Sequence, residues 1–206
     1  ITCLMPNTSY FGINDLQTTV VSFVSAFAML GMYDAWYRMF FERDDLNYQK
    51  EMCSTALIIV TITAIIAACI LFALQNIIAR TIFQNTKYAL LCNIAGLTVF
   101  FDNIKGIVQA PTRMQNKRKI YIITNFCTSL CIYALAIPLI IMGYYVTALP
   151  IAALISSIIM DIVFWIINHK WFGIKHFKKK YILNLLKIGV PLMPTFIIFW
   201  VFNSCD

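Results

Sequence analysis

Between Ala56 and Ile78 the chain carries no charged residue, and comparable apolar stretches cover roughly 14–32, 52–79, 88–110, 119–142 and 145–168, with a sixth from about 184. A membrane-spanning helix needs about 20 such residues. In lipid every backbone polar group must be bonded internally, which leaves helices or closed barrels as the spanning structures. Barrel strands are short segments of about ten residues with alternating character, and these continuous runs do not fit them. The expected fold is therefore all-α: a polytopic helix bundle with five complete transmembrane helices plus the start of a sixth. It forms a single transmembrane domain over 1–206. A hydrophobic content of 61% against 12% charged residues lies far from a soluble domain.

Charge placement gives this bundle a direction. Of the sixteen Lys and Arg residues, all but Arg80, Lys87 and Lys105 fall in alternate gaps between apolar stretches. Arg38, Arg43 and Lys50 share one gap, and Arg113, Lys117, Arg118 and Lys119 the next but one. Lys170, Lys175, Lys178, Lys179, Lys180 and Lys187 follow in the last. Short cytoplasmic loops retain excess Lys and Arg. Loops 33–51, 111–119 and 169–187 are thus expected to be cytoplasmic, in a multi-pass protein of the cell (inner) membrane.

Local signals refine the boundaries. Asp15 is placed to cap the first helix, whose opening amides lack partners. This helix is expected to run on through Met32 into an amphipathic exit, with Asp34 and Arg38 as an i, i+4 pair. The acids and bases of 42–51 read as a solvated turn. Ala64 and Ala68 form a small-residue face suited to close helix approach. Pro111 is expected to stop the third span, because proline has no N–H to donate. Gly143 and Tyr144 alone join the fourth and fifth spans. Pro191 and Pro194 should kink or interrupt the last helix.

Ionisable residues inside a bilayer are costly and therefore informative. At 100° per residue, Thr98, Asp102, Lys105 and Gln109 fall within about 60° of one another on the third span, and the stripe ends near Arg113. Either this face lines a cavity, or Asp102 and Lys105 neutralise each other as an i, i+3 pair. Asp161 sits among Ile158, Ile159, Met160, Ile162 and Val163 with no base nearby in sequence. It serves proton or cation coupling, or an interhelical contact.

The remaining features exclude more than they assign. The net charge of +7 sits in membrane-flanking loops rather than on a soluble basic face, which argues against nucleic acid and for anionic inner-leaflet lipids touching 169–187. An interfacial helix is the expected form of that segment, with His169 and His176 at the interface. Cys127 and Cys131 share a face, yet no His or carboxylate completes a metal set. No cofactor, phosphate-loop or hydrolase motif is present, so the chain is expected not to be an enzyme. The beginning without Met, and the run Phe199–Asp206 ending within an apolar stretch, read as a piece of a longer protein.

Three stretches carry a family likeness. Leu30-Gly31-Met32-Tyr33-Asp34-Ala35-Trp36-Tyr37-Arg38 resembles a segment of Wzx-type polysaccharide (oligosaccharide) flippases, members of the MOP superfamily with the MATE exporters. Tyr10-Phe11-Gly12-Ile13 is similar to the short motif before their second helix. Lys187-Ile188-Gly189-Val190-Pro191-Leu192-Met193-Pro194, with Asn203-Ser204-Cys205-Asp206, resembles the start of their seventh. The resemblance implies helices two to six and part of seven, the N-terminal lobe of a two-lobe transporter of about twelve to fourteen helices that alternates access around a central cavity. It also implies a polyprenyl-diphosphate-linked oligosaccharide as substrate and the missing C-terminal lobe as partner. Cavity candidates are then Lys105, Gln109, Arg113, Thr98 and Arg38, with Asp102 and Asp161 for ion coupling. A MATE-like cation-coupled exporter and a membrane polysaccharide polymerase are the alternatives.

Overall fold

The computed structural model describes residues 9–204. Within them lie seven α-helices and no strand: α1 (Ser9–Met29), α2 (Met32–Phe40), α3 (Leu46–Thr81), α4 (Ala89–Met114), α5 (Arg118–Ile141), α6 (Ala148–Asn168) and α7 (Ile182–Ser204). Five helices are long and apolar enough to cross a membrane, and α1 with α2, bent by 45° to each other, make a sixth if the pair is one span. The chain is an all-α polytopic membrane protein. Pro6, Asn7, Cys205 and Asp206 lie outside the described residues, as do the structural details of the side chains of Asn203 and Ser204.

The bundle is organised around α4, the most enclosed span, which packs against α3, α6 and α1. The α3–α4 seam is built from small residues. Ala64 and Ala68 are buried as expected, and a side chain on Gly96 would meet the Ala68 carbonyl oxygen at 3.5 Å. Between helices in lipid no hydrophobic force operates, so such close approach supplies the packing contacts instead. The opposite face of α3 presents Ile62, Ile66 and Ile70, and α5 presents Ile122, Phe126 and Leu130, all exposed. Apolar stripes of this kind are suited to lipid or to another helix. Helix α5 is peripheral and leans mainly on α6, where Ser156 Oγ donates to the Thr128 carbonyl at 3.1 Å.

Several expected boundaries move. Helix α1 already begins by Ser9, so Asp15 lies one and a half turns inside it rather than capping it. The first span does not run on through Met32: Leu30 (φ 49°) and Gly31 (φ 62°) both take left-handed backbone, and the chain turns there. Helix α3 starts at Leu46 with Asp45 as its cap, accepting from the Asn47 N–H at 3.0 Å, which shortens the expected loop 42–51 to a few residues. Asp34 and Arg38 form no ion pair; both side chains point to the exposed surface of α2.

Pro111 does not stop its helix, and Pro191 and Pro194 do not interrupt theirs. Helix α4 continues through Pro111 to Met114, and α7 runs from Ile182 through Pro191 and Pro194. Pro111 falls in the last turn and costs it one bond, the one a residue with an N–H would give the Ile107 carbonyl. Beside it the Asn168 amide of α6 donates to Val108 O (2.8 Å) and Thr112 Oγ1 (2.7 Å), tying this turn to its neighbour. Freed carbonyls in spanning helices are tolerated when neighbours or local adjustment satisfy them.

Helix ends are closed by paired backbone bonds. After α4, Lys117 N–H reaches Thr112 O and Asn116 N–H reaches Arg113 O, with Asn116 at φ 58°. After α5, Tyr144 N–H reaches Leu139 O and Gly143 N–H reaches Ile140 O, with Gly143 at φ 92°. Both are left-handed caps of the Schellman type. The α5–α6 connection thus spans residues 142–147, longer than the two residues expected.

The segment 169–181 is not one helix. It forms three short 3₁₀ turns, His169–Trp171, Ile174–His176 and Lys179–Tyr181, laid against the first turns of α3. Gly173 N–H donates to Ser54 Oγ (3.1 Å), Lys178 N–H to Thr55 Oγ1 (3.4 Å), and Trp171 packs on Phe40. Hydroxyls on α3 supply the backbone with acceptors, which removes the need for helix. The three base-rich gaps therefore gather at one end of the bundle, and the α3–α4 and α5–α6 connections at the other.

Candidate functional site

Polar residues on α4 meet α6 and α1 in the interior. Asp102 Oδ1 accepts from Lys105 Nζ at 2.8 Å and from Ser157 Oγ at 2.5 Å, and Lys105 also reaches Ser157 Oγ at 3.2 Å. One turn along α6, Asp161 turns both carboxylate oxygens into the protein, where neither receives a hydrogen bond. Lys105 and Asp102 are the charges that act on it. Lys105 of α4 acts on Asp161 at a distance, and no ion pair joins the two. A buried carboxylate without a donor is a costly group to keep, and Asp161 stands one turn of α6 from the bonded set of Asp102, Lys105 and Ser157.

Asp102 also forms the floor of a pocket. It is about 290 Å³ in volume and opens among α1, α4, α5 and α6, at the end carrying the α5–α6 turn. Its polar wall consists of Asn14, Asp15, Gln17 and Thr18 from α1 with Thr98 and Asp102 from α4. Asn14 and Gln17 are only 6% and 4% exposed. Thr18 Oγ1 donates to Asn14 O (3.0 Å) and Thr98 Oγ1 to Ile94 O (2.9 Å), the back-bonding that lets hydroxyl residues sit in a helix.

The sequence-derived candidates separate in space. Thr98 and Asp102 line the pocket, and Lys105 reaches it through Asp102. Gln109 continues the same face, half-buried and beyond the lining. Arg113 lies at the basic end, donating to Tyr33 Oη at 2.8 Å with its guanidinium over that ring at 5.9 Å. Arg38 is exposed on α2. Asn14, Gln17, Thr18 and Ser157 were not read from the sequence as site residues. The signal was there for α1: Asn14, Gln17 and Thr18 stand at i, i+3, i+4, one face of a helix. Assigning Asp15 to a cap hid it. Ser157 had no such signal, since isolated serines are frequent in spanning helices.

A family model described as "Polysaccharide biosynthesis protein" matches residues 5–206, nearly the whole chain. The chain belongs to the polysaccharide biosynthesis protein family. Membership assigns it a role in polysaccharide biosynthesis, as a multi-pass membrane component. The Lys105 cluster and the pocket are thus features of a polysaccharide biosynthesis protein that works within the bilayer. No characterised protein and no solved structure matches the chain.

Proposed function

We propose that the chain is one lobe of a flippase that moves a polyprenyl-diphosphate-linked oligosaccharide from the cytoplasmic to the outer leaflet. The observation that carries this reading is the polar interior around α4: a pocket and a charged cluster, both built from spanning helices, in a polysaccharide biosynthesis protein. Groups of this kind inside a bilayer mark substrate and ion pathways. A glycan crossing the membrane needs a hydrogen-bonding route that its lipid anchor does not need, and α4 supplies one. Asp161 and Asp102, with Lys105 bonded to Asp102, are the groups for ion coupling. The base-rich end faces the cytoplasm, with the lysines of 169–187 at anionic lipid.

The test is export in cells that depend on the full-length protein. Lys105→Ala and Asp102→Ala are expected to lower surface polysaccharide at least severalfold at unchanged protein level, while the lipid-linked precursor accumulates inside. Unchanged export in both variants would leave the cluster a structural pair.

A second reading, a MATE-like cation exporter, draws on one observation: the pocket is lined by acids and by no base. It predicts accumulation of cationic dyes in cells lacking the protein. Normal dye efflux together with lost polysaccharide export decides for the flippase.

A further inference from the structure

The pocket beside Asp102 has a hydrogen-bond polarity that narrows what it holds. The hydroxyl protons of Thr18 and Thr98 are already given to backbone carbonyls, so both residues offer the pocket only acceptor lone pairs. The Asn14 amide donates to Tyr10 O at 2.9 Å, and its Oδ1 is buried with no donor. The bonds made to Asp102 both end on Oδ1, leaving Oδ2 an acceptor, and Asp15 adds an exposed carboxylate. Acceptors therefore outnumber donors, and Gln17 holds the one amide not engaged by the backbone.

The charge balance is equally one-sided. Lys105 is the base nearest the pocket, and its ammonium is held at 2.8 Å by Asp102 and at 3.2 Å by Ser157. An incoming anion would meet Asp15 and Asp102 with no free cation to offset them. The other wall is apolar, with Phe11, Ile132, Leu149 and Pro150. A bare alkali ion needs oxygen ligands all round, so half of this wall is wrong for it. A ring with hydroxyls on its edge and C–H groups on its faces fits both halves. The volume is at the small end of ligand pockets, suited to one ring.

We infer that this pocket is a subsite for one sugar ring of the transported glycan, and that it selects neutral or amino sugars against acidic ones. The inference rests on the flippase reading for its route into the pocket. It goes beyond that reading by naming where a sugar sits and which charge it must not carry. Asp15 and Asp102 Oδ2 receive ring hydroxyls or an ammonium, Gln17 contributes both a donor and an acceptor, and Phe11 covers one face of the ring.

Purified full-length protein in nanodiscs is titrated with N-acetylglucosamine, glucosamine, glucuronic acid, tetraphenylphosphonium and sodium, followed by ligand-observed NMR and tryptophan fluorescence. Glucosamine and N-acetylglucosamine are expected to bind, with glucuronic acid weaker by roughly tenfold or more. Asp15→Asn, an exposed position that leaves the helix intact, should narrow that gap severalfold and remove any preference for glucosamine over N-acetylglucosamine. Equal binding of glucuronic acid, or no sugar binding at all, overturns the inference. So does tetraphenylphosphonium, which has charge but no donor, competing for the site, or an Asp15-dependent response to sodium alone. Export in cells is measured on the same variants. Sugar binding by a protein whose absence leaves surface polysaccharide unchanged breaks the flippase reading, whereas normal transport without sugar binding breaks only the subsite.

Discussion

Lys105 is the base that the interior contains, and its ammonium is bonded to one carboxylate, Asp102. Its pairing with Asp102 is the i, i+3 contact that spacing on a helix predicts. The exposures of the two side chains, 21% and 33%, leave it partly hydrated. Removing one partner of such a pair leaves an uncompensated charge and costs more than removing both. Lys105→Met is expected to destabilise the protein by about 2 kcal/mol, reduced from the fully buried case by that hydration. Lys105→Met combined with Asp102→Asn should recover most of the loss. Thermal unfolding of detergent-purified full-length protein reads this directly. A double variant no more stable than Lys105→Met would mean that Asp161, not Asp102, holds the charge in balance. The pairing itself was legible from residues 102 and 105 alone. Ser157 and the approach of Asp161 were not, because both depend on how α6 rotates against α4, which period-3.6 reasoning on one helix does not fix.

At the scale of elements, the break between α1 and α2 is the clearest departure from what the chain alone indicates. The apolar run continues across Leu30 and Gly31, and one glycine inside a helical pattern costs only about 1 kcal/mol, so nothing local announces a turn. The reason lies in α7. A Cβ on Gly31 would collide with the Gly189 carbonyl oxygen, and one on Gly189 would stand 2.7 Å from the Leu30 carbonyl oxygen. Two backbones meet there, so α2 can pack on α7 only if the chain bends and both positions lack a side chain. Gly31→Ala is expected to cost about 2 kcal/mol or more, since it adds a left-handed backbone penalty to the collision. Gly189→Ala carries only the collision and should cost less. Melting temperatures of the two variants should fall in that order. The reverse order would place the strain in α7 rather than in the turn. The prolines teach the same lesson from the other side. Pro111 looks like a stop in sequence and Pro191 and Pro194 like a kink or interruption, but each lies within a continuing helix that tolerates one missing bond.

For the whole molecule, the apolar spans and their order were readable because bilayer thickness imposes a length on every helix. The structure adds that the alternate base-rich gaps form one physical end. Arg113 bonds Tyr33 of α2, Asn168 holds the last turn of α4, and the 169–181 turns wrap the start of α3. An end that is both cross-braced and basic suits an anionic leaflet, where each Lys or Arg near the surface contributes about 1 kcal/mol. The pocket opens at the other end, so orientation decides which leaflet the sugar subsite serves. Single cysteines in a cysteine-free full-length protein report it: Lys117→Cys and Lys179→Cys at the basic end, Lys87→Cys and Tyr144→Cys at the other, all at exposed positions. A membrane-impermeant maleimide applied to intact cells is expected to modify positions 87 and 144 and to reach 117 and 179 only after permeabilisation. The opposite pattern would turn the bundle over and put the pocket at the cytoplasmic leaflet, where it would meet the glycan before translocation instead of after it.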